Sequence, residues 1–250
     1  MMRRWLLLAT LALVVVALLT LWYSGSTEKD PRVTTQPATP ADSAPATVQW
    51  RAGVAQTYRL LSESSMQMQA TTQGASSIYV HMQGQLDTLT LEAGSDESVV
   101  GMRLSSVELK INNTMDAETN RALGVPFRVR FAVNGMPLAF EYPAKVNQQN
   151  RSILENLVRT FQVSLDSADN WVVTESNASG TYEATYRRTG PAQFEKSKRN
   201  FNTTAAGMVS WAEISSTETF NVAAGHNWIA EMNVQETMHS DGQGGPVMTV

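Results

Sequence analysis

From Val48 onward, apolar and polar residues mostly alternate with a period of two. Ile78–Leu91 runs IYVHMQGQLDTLTL. In Val99–Asn112, Val107, Leu109 and Ile111 alternate with Glu108 and Lys110. Phe127, Val129, Phe131 and Val133 alternate with Arg128 and Arg130, and Leu138, Phe140 and Tyr142 return after Asn134-Gly135. Alternation of this kind marks strands with one buried and one solvated face, and Asn-Gly between two such runs marks a hairpin. The same reading places strands at 56–69, 171–175, 182–188, 194–201, 209–222 and 228–238, about ten in all. Val247–Val250 is a further strand candidate, and Gly84 marks a bend. Met115–Leu123 is polar and reads as a short helical turn or loop.

One stretch breaks the rhythm. In 147–163, NQQNRSILENLVRTFQV, the residues Ile153, Leu154, Leu157, Val158 and Phe161 fall on one stripe of a 3.6-residue helix. Asn147 or Asn150 can cap its start, and Glu155 precedes Arg159 by one turn, the favourable order for an ion pair. A single amphipathic helix among one-sided strands must be what the strands pack on. The fold class expected is mainly β: an antiparallel barrel or half-barrel wrapped around one central amphipathic helix.

The start of the chain follows other rules. Trp5–Tyr23 contains no charge, has aromatic residues at both ends and follows Arg3 and Arg4. About 20 apolar residues span a bilayer as a helix, and the preceding arginines keep the N-terminus cytoplasmic. Residues 1–23 therefore read as an N-terminal transmembrane anchor, with a cleaved signal peptide as the alternative. No A-x-A site marks the end of the run. Residues 24–47 are rich in Pro, Thr, Ser and Ala and form a linker. Residues 48–250 form one β-rich domain. The expected placement is a single-pass membrane protein whose C-terminal domain is periplasmic or extracellular, with the membrane contacted through Trp5–Tyr23.

Composition removes several functions. The chain has no cysteine, so it has no disulfide, thiolate metal site or cysteine nucleophile. A formal net charge of -4 argues against general nucleic-acid binding. His81, His226 and His239 have no ligand-type spacing. There is no nucleophile elbow, phosphate loop or dinucleotide fingerprint. No cofactor and no enzymatic activity are expected. Asp166, Asp169 and Glu175 read as a polar helix-to-strand connection. Arg187, Arg188, Lys196, Lys198 and Arg199 read as a charged, solvated hairpin that protects sheet edges.

The order of parts WRAGVAQTYRL, PFRVRFAVNGMPLAFEYP and NQQNRSILENLVRTFQ resembles the N-terminal barrel region of the vitellogenin and microsomal triglyceride transfer family. The residues that carry the resemblance are Pro126, Phe127, Gly135, Asn150, Arg151, Ile153, Leu154, Leu157, Phe161 and Gln162. The chain departs from that family in lacking cysteines, the helical domain and the lipid-binding sheets. The resemblance implies a barrel around a helix, while the family's lipid cavity lies largely outside the matching region.

Two functions follow. The first is a membrane-tethered module that binds lipid or another apolar ligand in a cleft left open beside the helix. Its lining would come from Phe127, Phe131, Leu138 and Phe140, with Ile153, Leu154, Leu157, Val158 and Phe161 as the helix core face. The second is a protein-interaction or assembly module of the cell envelope with a closed core.

Overall fold

The computed structural model describes residues 20–23, 48–68, 76–115, 117–177, 180–202, 211–222, 228–240 and 247–249. Every strand expected from alternation is present. The first sheet holds β2 (Ala55–Met68), β3 (Ser76–Ala93), β4 (Glu97–Ile111), β6 (Phe127–Ala132) and β7 (Pro137–Glu141), with the two-residue β5 (Thr114–Met115) on β4. The second holds β8 (Asn170–Asn177), β9 (Gly180–Arg188), β10 (Gln193–Asn202), β11 (Trp211–Asn221) and β12 (Glu231–Ser240). Every pairing is antiparallel.

Two short strands, β1 (Thr20–Tyr23) and β13 (Val247–Thr249), each pair with both β2 and β12 and join the sheets edge to edge. The path runs from β7 to β8 without those two strands pairing. The barrel expectation is thereby corrected to its half-barrel form: the sheet curls but does not close.

The last four residues of the apolar N-terminal run are strand β1, where a helix through Tyr23 was expected. The rest of that run lies outside the described residues. No helix among the described residues is long and apolar enough to cross a membrane.

Two helices are described. The first, α1 (Ala117–Leu123), buries Leu123 and packs on β4. There the Leu109 N–H donates to Asn120 Oδ1 at 3.0 Å. The second, α2 (Gln148–Thr160), is the expected amphipathic helix. Its cap is Asn147, whose side chain accepts from the Asn150 N–H at 2.8 Å. Glu155 and Arg159 form the expected pair at 2.9 Å. All five stripe residues are buried, each worth about 1.5–3 kcal/mol in transfer terms.

The chain then passes from Phe161 to Leu165 through the core, fully buried. The Asn134-Gly135 turn folds over this segment. The Leu165 N–H donates to the Asn134 carbonyl at 2.9 Å, and Asn134 Nδ2 donates to Ser164 Oγ at 3.0 Å. Gly135 has φ +95, and a Cβ there would lie 3.0 Å from both Val163 and Val48. Only glycine suits that backbone and that space.

The bend at Gly84 is also present. A register shift falls between Gln83 and Gln85, opposite Ser106 in the left-handed region at φ 52. The bulge turns β3 and β4 without breaking their pairing.

Candidate functional site

Inward residues of both sheets meet the helix stripe in one apolar cluster. Trp228 lies within it, with ring centroids 5.4 Å from Phe131, 6.0 Å from Tyr58 and 6.4 Å from Phe161. Large rings fill the concave side where a cleft beside the helix was expected.

The four residues expected to line that cleft are separated. Phe127 and Phe131 are buried, and Phe131 also packs on Trp50 at 5.0 Å. Phe140 is half-buried under the Arg159 guanidinium, 5.2 Å from its ring centroid. Leu138 points outward and is 48% exposed. A register shift between Arg130 and Phe131 pairs Phe131 with Pro137, which leaves Leu138 on the opposite face.

An open apolar groove lies on the other side of the first sheet. Strand register sets Ala55, Leu89, Gly101, Arg128 and Glu141 opposite one another in a row across β2, β3, β4, β6 and β7. Directly opposed residues share a face. That face is the solvent side, because Val100 and Met102 on either side of Gly101 are buried in the core. Gly101 leaves a notch in the row. Around it is a groove of about 720 Å³. Leu89, Leu91, Pro126, Phe127, Tyr142 and Pro143 supply apolar wall, with Asp87, Arg103, Arg128 and Glu141 also lining it.

Leu89 and Leu91 are 41% and 39% exposed, unusual for leucines on a sheet face. A Cβ built on Gly101 would lie 3.5 Å from Leu91 Cδ1, in ordinary contact. Asp87 is held by hydroxyls, accepting from Thr57 Oγ1 at 2.8 Å and Ser105 Oγ at 2.7 Å. Tyr142 stacks on Phe127 at 5.7 Å, and burial first, then Glu155, push its phenol well above the usual range. Ligand pockets of roughly 300–1,000 Å³ with apolar walls and a few polar groups are the usual form of a small-molecule site.

The second sheet carries a different feature. Its concave face holds Glu175, Lys196, Lys198, Glu218 and Glu236, all buried. Lys196 Nζ lies 2.9 Å from Glu175 and 3.2 Å from Glu218, and donates to the Gln162 carbonyl at 3.1 Å. Lys198 Nζ lies 2.6 Å from Glu218 and 2.8 Å from Glu236. Tyr182 donates to Glu175 Oε2 at 3.0 Å and Tyr186 donates to Glu175 Oε1.

Burial alone would push the Glu218 carboxyl up, but Lys196 and Lys198 outweigh it and hold it below its usual range. Burial likewise works against charge on the lysines, and the surrounding carboxylates, Glu175 and Glu218 on Lys196 and Glu218 and Glu236 on Lys198, outweigh it and raise both. The two tyrosines are raised chiefly by burial and stay protonated.

The solvated-hairpin expectation is corrected at two of its five residues. Lys196 and Lys198 face inward. Arg187 and Arg199 stay outside, paired with Glu195 and Glu183. Arg188 lies over the Phe194 ring at 4.9 Å. Glu175 leaves the expected polar connection for this network, while Asp166 and Asp169 remain exposed.

The signal was parity. Lys196 and Lys198 continue the phase of Phe194, and Glu218 the phase of Phe220. His81 sits 3.5 Å from Glu63, and the side chains of His226 and His239 lie outside those described. No group of His, Cys, Asp and Glu among the described residues could hold a metal.

No family model matches the chain, and no curated protein matches it. A solved structure concerned with lipid–protein interactions in lipovitellin superposes on it with a TM-score of 0.59. The fold is that of part of lipovitellin. The match covers 80% of this chain and 25% of the lipovitellin chain, at 12% identity. This chain thus corresponds to a quarter of lipovitellin's length, and the likeness is one of fold.

Proposed function

We propose that this domain is a non-enzymatic binding module for lipid or another apolar ligand, exported and tethered to a membrane. The observation that carries the binding is the groove of about 720 Å³ at Gly101, with two leucines held open to solvent beside it. Exposed apolar surface gathered into a concavity of that size matches an acyl chain or a similar group. The shared fold with part of lipovitellin, whose structure concerns lipid–protein interactions, supports the same ligand class. The tether rests on Trp5–Tyr23 and the arginines before it.

The ligand would sit on the solvent face of the sheet rather than against the helix. The packed concave cluster favours a second reading for that side alone, a closed core that supports an interaction surface. Protein purified without detergent, extracted with organic solvent and examined by mass spectrometry tests the first reading. Lipid at about one molecule per protein is expected, and an extract free of lipid contradicts it.

A further inference from the structure

The buried network on the second sheet carries three carboxylates and two ammonium groups. Tyr182 and Tyr186 add neutral donors to Glu175 and no compensating charge. The interior therefore holds an excess negative charge, and a buried unbalanced charge is strongly disfavoured. The excess sits at one end. Glu175 and Glu218 have partners on both carboxylate oxygens. Glu236 meets Lys198 through Oε2, and no described residue binds its Oε1.

Beside Glu236, in register on β11, is Ser216. Opposed residues on antiparallel strands lie about 5 Å apart on one face. The Ser216 hydroxyl is buried and has no hydrogen-bond partner. Across β1 and β13, Ser62 and Ser64 on β2 also turn buried, unpartnered hydroxyls onto the concave face. Their register partners on β3 are Met82 and Val80, both buried, so the hydroxyls border apolar wall. A free carboxylate oxygen, three orphan hydroxyls and missing positive charge call for one occupant: a cation that donates hydrogen bonds and carries an apolar body.

We infer that the concave face between β2 and β11–β12 binds a primary ammonium group attached to an apolar chain, with Glu236 and Ser216 as its ligands. The ammonium donates three hydrogen bonds and supplies the absent charge. The site is separate from the groove at Gly101, which lies on the opposite face of the other sheet.

The test uses the full chain at pH 7, with octylamine, octanol and octanoate as probes in isothermal titration. Octylamine should bind about tenfold tighter than octanol, the factor expected from a paired buried charge, and octanoate more weakly than either. Glu236→Gln keeps an acceptor for Lys198 and should abolish the preference for the amine. Ser216→Ala keeps the charge and the fold, and should weaken octylamine severalfold with the melting temperature of the free protein unchanged. Gly101→Phe should leave the preference intact, which separates this site from the groove. Equal binding of octylamine and octanol, an amine preference that survives Glu236→Gln, Ser216→Ala without effect, or stabilisation by sodium equal to that by octylamine would each overturn the inference.

Discussion

Glu218 is the carboxylate on which the buried network turns. Its two oxygens meet two different lysines, at 3.2 Å and 2.6 Å, and it is fully buried. Glu218→Gln removes its charge with little change in shape. Lys196 keeps Glu175 and Lys198 keeps Glu236, so neither ammonium is left alone. Each nevertheless loses one of two carboxylates in a space without water. Breaking a buried pair from one side is destabilising by about 3–5 kcal/mol. For a domain of about 200 residues, 1 kcal/mol shifts Tm by roughly 2–4 °C, so the variant should melt about 6–20 °C below the parent.

The pH dependence has a definite sign. A carboxyl held below its usual range contributes stability that is present above the unfolded pKa of about 4.3 and is lost as pH falls through the folded value. The parent should therefore lose stability in that acid window more steeply than Glu218→Gln. Circular dichroism melts between neutral and acid pH measure both effects. A variant melting within about 2 °C of the parent at pH 7, with the same acid profile, would refute the assignment of Glu218 as the shared counter-ion.

Leu157→Asp places a charge in the centre of the helix stripe, where the side chain is 1% exposed, and should unfold the domain. A cooperative melt like that of the parent would contradict the placement. Gly135→Val forces a branched side chain onto φ +95 and into Val48 and Val163; a loss of several kcal/mol is expected in denaturant titration, and an unchanged midpoint would count against the turn. N-terminal sequencing of the protein from membranes should begin at or near Met1, and a start near Ser24 would mean that a signal peptide had been removed.

The strands, the helix and the Asn-Gly turn were legible because burial on one face imposes a period that a single chain displays. Ile153, Leu154, Leu157, Val158 and Phe161 needed no partner to be identified. The closure of the sheet was not legible, since nothing local to β7 or β8 says whether their edges meet. The four-residue β1 was hidden within a run whose apolarity satisfies a membrane helix equally well.

The network was misread for a related reason. Charge was taken to mean solvent, although Lys196 and Lys198 hold the parity of Phe194 on a strand whose other face carries Glu195 and Arg199. Opposite charges on adjacent strands, at the parity of the core, are the pattern that marks such a cluster. The groove at Gly101 was illegible because it depends on five strands bringing Ala55, Leu89, Gly101, Arg128 and Glu141 into one row. No one segment contains that row. Leu138 shows the limit of alternation itself, since a single register shift turned it outward.

The most direct test of the binding claim is a titration of a fluorescent fatty acid into the parent protein and into Gly101→Phe. The substitution adds an aromatic ring to the floor of the groove at a position where a Cβ meets Leu91 at ordinary contact distance. Phenylalanine also suits a strand better than glycine does. The variant should fold and melt at or above the parent's temperature. The account predicts saturable binding near one molecule per parent chain and a loss of at least about tenfold in affinity in Gly101→Phe. Equal binding by the two proteins would contradict it.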